Sequence, residues 1–287
     1  MEFNKLVIMG KEKLIEKVFM LLAFSAIGSL LLITIFIFNE GLPIIIKTGV
    51  GNFIFGAHWA PTKGHYGILA MILSSLYVTI GAMIFGVPLA LACAITLAEF
   101  APVHLTRFLK PTIELLAGIP SVVYGFLGVV LLVPLIREYL GGPGLSLLAA
   151  ALILGIMILP TVISISIDAI NAVPNIYREG SIALGATQWQ TVRKLVLPAA
   201  RSGIITAIIL GMGRAIGETM AVIMVAGNAL KIPTSVLDPV RTLTANIALE
   251  LSYASGAHRE ALFATGIVLF IIIMILNTTA TLIAGRK

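Results

Sequence analysis

Long apolar runs alternate with polar joins along this chain, and the runs set its architecture. They occupy roughly 18–38, 67–98, 115–136, 144–167, 203–226 and 261–284. About 20 apolar residues carry a helix across the hydrocarbon core of a bilayer, and each run is long enough. The second is long enough to tilt or to extend beyond the membrane. The weak alternation of a membrane β-barrel is absent. The pattern predicts an all-α polytopic membrane protein with six transmembrane helices in a single domain, 1–287, and shows no internal repeat. Prolines interrupt the runs at Pro88, Pro120, Pro134 and Pro160, which membranes tolerate where neighbouring helices or a polar path satisfy the freed backbone.

One polar join departs from this plan. A connection between membrane helices needs a handful of residues, yet 168–202 carries a helical pattern of its own. Pro174 opens a short helix through Tyr177 and Glu179 to Leu184, and Gly185 breaks it. Thr187-x-x-Gln190 has the form of a capping box. It starts a second helix through Trp189, Val192, Leu195 and Val196, which Pro198 stops. Ile182, Ala183, Leu184 and Trp189 fall at or near the tip. Apolar groups rimmed by charge mark a protein interface; the competing reading is a lid folded on the underside of its own bundle.

Composition and charge sharpen this picture. The 287 residues are 59% hydrophobic and 11% charged, against about one-quarter charged in soluble domains. A net charge of +6 does not point to nucleic acid here, because the 19 Lys and Arg are distributed by side. With the amino terminus inside, the inner segments hold 12 (Lys5, Lys11, Lys13, Lys17, Arg107, Lys110, Arg178, Arg193, Lys194, Arg201, Arg286 and Lys287) and the outer ones 6 (Lys47, Lys63, Arg137, Lys231, Arg241 and Arg259). The asymmetry places both termini and 173–200 in the cytoplasm. The one cysteine, Cys93, lies inside an apolar run and cannot form an intrachain disulfide. The first run is too long for a signal peptide and reads as a retained anchor. Two outer segments, 39–66 and 227–260, are lids on the bundle or a landing surface for an external partner. In the second, Asp238 and Pro239 form a plausible helix start.

The remaining Arg, Arg214, lies inside the fifth run, 11 residues from its start, or roughly 16 Å along a helix. That is mid-bilayer, where an Arg costs about 2.5–3.5 kcal/mol on insertion scales and must face the bundle interior or a wet cavity. Glu218, at i+4, shares its helix face and can pair with it. Gly211, Gly213 and Gly217 let neighbouring backbones approach. Either the pair is a structural tie between helices, or the planar guanidinium fork of Arg214 helps an oxyanion through, with Glu218 keeping affinity moderate.

Catalytic chemistry finds little support. No phosphate-binding G-x-x-x-x-G-K-[ST] occurs, since Gly10-Lys11 is followed by Glu12. Glu99, Glu114 and Asp168 lie at run ends and read as solvated interfacial charges. His58 and His65 make an isolated pair in a loop, a weak metal signal. No catalytic or metal site is assigned, and no cofactor is expected on this chain.

Glu179-Gly180-Ser181, Gly185 six residues after the glutamate, and Leu195-x-Leu197-Pro198 resemble the EAA loop of ABC importer permeases, E-A-A-x3-G-x9-I-x-L-P. Small residues replace the two alanines and Leu195 the isoleucine. The resemblance implies a coupling segment seated in a cytoplasmic ATPase subunit through Glu179, Ala183, Leu184, Gly185, Ala186, Trp189, Leu197 and Pro198. The stretch 213–222 is similar to the corresponding helix of Pst-type phosphate import permeases, the PstC-like branch in particular. So are 113–125, 183–192 and 242–256, and the similarity runs over about 50–285. It implies the type I ABC importer permease fold, with Arg214, Glu218 and Thr219 on the substrate path. It also implies a homologous PstA-like permease subunit, two cytoplasmic ATPase subunits holding ATP and Mg, an external phosphate-binding protein, and a prokaryotic inner or plasma membrane. Sulfate and molybdate permeases have a related Arg–Gly–Glu helix that usually differs after the glutamate. From other classes, a self-sufficient channel or ion-coupled transporter would need no docking segment and would usually carry more acidic groups in its spans.

Overall fold

The computed structural model describes residues 2–285, with side chains from 15 to 282. Arg286 and Lys287 lie outside the described residues, and the side chains of Lys5, Lys11 and Lys13 outside the described side chains. Among the described residues the regular structure is helical apart from one short hairpin. In order come α1 (Glu2–Thr48), α2 (Val50–Phe55), the hairpin β1–β2 (Trp59–Ala60 with His65–Tyr66), α3 (Leu69–Ile95), α4 (Val103–Ala117), α5 (Ser121–Leu127) and α6 (Val133–Tyr139). There follow α7 (Leu147–Asn171), α8 (Asn175–Ala183), α9 (Gln188–Thr191), α10 (Leu197–Ala199), α11 (Arg201–Gly217), α12 (Met220–Val225), α13 (Leu243–Glu250) and α14 (Ala257–Gly285).

Five helical stretches are long and apolar enough to cross a membrane: Ile15–Thr48, Leu69–Phe100, Ser121–Tyr139, Leu147–Asn171 and Ala257–Leu282. A sixth is obtained if Gln188–Ala199 and Arg201–Gly217, bent by 69°, act as one span. From Ile15 to Ile33 α1 is exposed all round. A helix apolar on every face belongs in hydrocarbon.

Element ends differ from the sequence reading in places. The first helix runs on to Thr48 through Pro43, so much of 39–66 is helix rather than loop. The segment 103–117 forms α4, and the expected run at 115–136 starts as a helix only at Ser121, because Gly118 and Pro120 intervene. The helix that contains Pro198 ends one residue later, at Ala199, and the chain then bends by 69° into α11. The chain widens into π turns at Thr96–Phe100, Gly128–Leu132 and Val192–Val196, each just ahead of a proline: Pro102, Pro134 and Pro198. Pro102 lies beyond its helix end, but Pro134 and Pro198 stay within helix, where a proline offers no N–H and its ring clashes with the carbonyl four residues back; a wider turn accommodates both defects.

The centre of the molecule is the seam between α3 and α7. Ala82, Gly86, Ala90 and Ala94 recur every fourth residue on α3 and are all buried. Opposite them lie Ala150, Ala151, Leu154, Gly155 and Ile158. Small residues at this spacing let two helix backbones meet, the main source of helix association in lipid. A Cβ on Gly86 would lie 2.7 Å from the Gly155 carbonyl oxygen. Gly211 of α11 also packs on α7, at Val162, where a Cβ would come within 2.7 Å. Gly213 and Gly217 face open space, so of the three glycines in that run only Gly211 serves a close approach.

A second core closes one end of the bundle, with Ile44, Phe53, Trp59, Ile68, Leu243 and Leu262 at its centre. There the buried side chain of Glu250 joins three elements. It accepts from Arg241 Nη1 at 2.7 Å and Trp59 Nε1 at 2.9 Å, and lies 2.8 Å from His258 Nε2. Asp238 does not start a helix. It accepts from the backbone N–H groups of Thr234 and Ser235, from the Thr234 hydroxyl and from Lys231. These donors hold its carboxyl well below the usual carboxylate range. The helix start falls at Thr242, whose hydroxyl accepts from Ala245 N–H at 3.2 Å and caps α13.

The seam is testable by filling it. Gly86→Val should lose about 1–3 kcal/mol through overpacking, read as a lowered thermal midpoint of the purified protein. An unchanged midpoint would show that α3 and α7 do not depend on this close approach.

Candidate functional site

Arg214 is placed by α11, whose register is fixed by Gly211 against Val162. Its guanidinium is half-buried and donates from Nη1 to Thr161 Oγ1 of α7 at 3.3 Å. The expected pairing with Glu218 does not occur. Among the described residues the ion pairs are Lys110–Asp168, Arg178–Glu99, Lys231–Asp238, Arg241–Glu250 and His258–Glu250. The reason is local. The helix ends at Gly217, and Glu218 has an extended backbone (φ −70°, ψ 133°), so i+4 no longer means one turn along the same face.

That break organises the neighbourhood. Glu218 Oε1 accepts from the Ala221 N–H at 3.1 Å and so caps α12. Its backbone carbonyl accepts from the Thr244 hydroxyl at 2.9 Å, which ties the break to α13. Thr219, at the start of α12, donates to the Gly217 carbonyl at 3.3 Å. Irregular backbone in an apolar run is tolerated where it is buried in protein or lines a polar cavity. In discontinuous membrane helices the exposed half-helix ends are sites for ions and polar substrates. Arg214, Glu218 and Thr219 therefore lie together at a helix break, though not as an ion pair. Thr161 and Thr244 complete the group. Sequence reading missed both, since a threonine in an apolar run announces no partner.

The segment 175–191 is a helix–turn–helix. Gly185 has φ +86°, a conformation that favours glycine. The Thr187–Gln190 capping box is formed in both directions, at 3.3 Å and 2.9 Å. At the tip Leu184 is 91% exposed and Trp189 and Ile182 are each 55% exposed. Glu179 and Ala183 are exposed and Ala186 half-buried. Leu197 is half-buried against the cluster of Ile170, Val173, Val196 and Ala200. It thus anchors the segment to its own bundle, while Pro198 beside it is exposed.

Glu99 corrects the expectation of a solvated charge. Its side chain is 7% exposed and meets Arg178 Nη2 at 2.7 Å. Asp168 is exposed and pairs with Lys110 at 2.8 Å. No cluster of three or more His, Cys, Asp or Glu able to hold a metal occurs among the described residues.

Residues 86–286 match the family described as binding-protein-dependent transport system inner membrane component. The chain is 42% identical to a probable ABC transporter permease protein, YqgH, of Bacillus subtilis, over 92% of this chain and 88% of that one. It is 36% identical to the phosphate transport system permease protein PstC of Haemophilus influenzae, over 84% and 81% of the two chains. Among solved structures it is similar to a chain of the MetNI methionine ABC transporter in an inward-facing conformation. That match has a TM-score of 0.62 at 20% identity, covering 79% of this chain and 98% of that one. A chain of a bacterial alginate ABC transporter matches with a TM-score of 0.60 at 17% identity, over 91% and 94%. At these identities the structural likeness speaks to the fold, which is that of an ABC importer permease.

The capping box gives a local test. Thr187→Ala should cost about 1 kcal/mol of helix stability, seen as roughly fivefold faster amide exchange at 188–191 with other helices unchanged. Equal exchange would mean that the box does not hold the second helix.

Proposed function

Since the chain belongs to the family of binding-protein-dependent transport system inner membrane components, we propose that it is the permease subunit of an ATP-driven inorganic phosphate importer. The observation that carries this reading is a single stretch, 188–217, with a different function at each end. At one end the apolar side chain of Trp189, like that of Leu184, is exposed. At the other, Arg214 is held in the membrane run by a hydroxyl and not by a carboxylate. The first is built to be pushed and the second to meet an oxyanion. The similarity to PstC sequences favours phosphate over sulfate or molybdate.

In this reading the termini and 168–202 face the cytoplasm, and six helical passes cross the membrane. Two ATPase subunits bind ATP and Mg and grip the tip. A homologous PstA-like chain completes the pore, and an external phosphate-binding protein delivers the substrate. Closure of the ATPases moves the coupling segment and switches the pore between outward and inward openings. No residue of this chain does covalent chemistry. The Arg214 fork suits a tetrahedral oxyanion. Its weak tie to Thr161 leaves the fork's remaining donors for the ion, and the Glu218 carboxylate at the helix break limits how tightly an anion is held. Conduction needs binding strong enough to enter and weak enough to leave.

Uptake of labelled phosphate against labelled sulfate by the reconstituted complex tests the substrate. Preferential phosphate uptake is expected, and preferential sulfate uptake would transfer the reading to that class. Arg214→Ala should abolish uptake while leaving assembly intact, whereas a variant that fails to assemble would make Arg214 structural. A bulky replacement of Gly185, strained by its positive φ, should let ATP hydrolysis proceed without uptake. Unchanged coupling in that variant would count against the docking role.

A further inference from the structure

Where α3, α7 and α8 converge, one guanidinium closes all three. Arg178 of α8 donates from Nη2 to Glu99 Oε1 at 2.7 Å, and from Nε to both carboxylate oxygens at 3.2 and 3.3 Å. The same group donates to the Val173 carbonyl at 2.6 Å and the Ile170 carbonyl at 3.0 Å. Those carbonyls lie at and just beyond the end of α7, and that of Ile170 also accepts from the Val173 N–H at 3.2 Å. Its last contact, to Asn175 Oδ1 at 3.3 Å, lies within its own helix. Glu99 belongs to the π turn that closes α3. Two further contacts reach that turn from α9. Gln188 Nε2 donates to the Glu99 carbonyl at 2.6 Å, and the Trp189 ring lies 6.2 Å from that of Phe100.

An Arg–carboxylate fork of this kind is short, directional and shielded from water. Removing one partner leaves a buried charge unmatched. The exposed Lys110–Asp168 pair near the same end lacks that stiffness, with Asp168 65% exposed. The seam already binds α3 to α7, so a displacement of 175–191 pulls on both through Arg178. The far consequence is at Thr161, which lies on α7 and holds Arg214 of α11. A shift of α7 against α11 changes that contact.

We propose that Glu99 and Arg178 are positioning residues that pass movement of the coupling segment into α3 and α7, and thereby to the Arg214–Thr161 contact. The inference rests on the reading of the chain as an ATPase-driven phosphate permease. Its test is the phosphate taken up per ATP hydrolysed by the full complex in liposomes, with binding protein supplied. For Glu99→Gln, close in shape and uncharged, assembly and hydrolysis should persist while the ratio falls about tenfold. For Gln188→Ala, which removes only the outer hydrogen bond, a fall of about twofold is expected. An assembled Glu99→Gln complex with an unchanged ratio overturns the inference. So does a Glu99→Gln complex that fails to assemble, which would make the pair a structural staple. A wild-type complex that hydrolyses ATP without taking up phosphate would instead overturn the functional reading on which the inference stands.

Discussion

Helices in a bilayer gain little from burying apolar surface against one another, because lipid is as apolar as leucine. Contact between α3 and α7 therefore depends on how near their backbones come, and the Ala82–Gly86–Ala90–Ala94 face against Gly155 sets that distance. Other contacts build outward from this seam. Gly211 brings α11 onto α7 beside this seam. Tyr124, Val133 and Ile136 from α5 and α6, and Val222 and Val225 from α12, complete the same core. The Glu250 network closes one end and the Arg178 network the other.

The treatment of charge separates scaffold from site. Arg178 and Arg241 each meet a well-shielded carboxylate at 2.7 Å, so their charge is neutralised where it sits. Arg214 lies in an apolar run, and its described partner is a threonine hydroxyl at 3.3 Å. An ionisable group kept in the membrane without a matching charge is expensive and is retained where a polar path needs it. The helix break at Glu218 and Thr219 follows within one turn of the chain.

Much of this was legible in the sequence, and the failures have physical causes. The all-α plan followed from apolar runs, and the helix–glycine–helix protrusion from Thr187, Gln190 and Gly185, because capping and positive φ are decided within a few residues. The EAA-like spacing and the 213–222 stretch pointed to the family. The break at Glu218 was missed because the apolar run resumes directly after it at Met220, and the contact that holds its carbonyl comes from Thr244, distant in sequence. The Glu99–Arg178 pair spans 79 residues, and nothing local to either residue announces it.

The central claim is that an ATPase moves this chain through the tip of 175–199. The most direct measurement is the labelling rate of a thiol introduced by Leu184→Cys in a Cys93→Ser background, in the isolated permease and in the complex with its ATPase subunits. The account expects rapid labelling alone, as befits a side chain 91% exposed, and strong protection in the complex. Equal labelling in both states would contradict it.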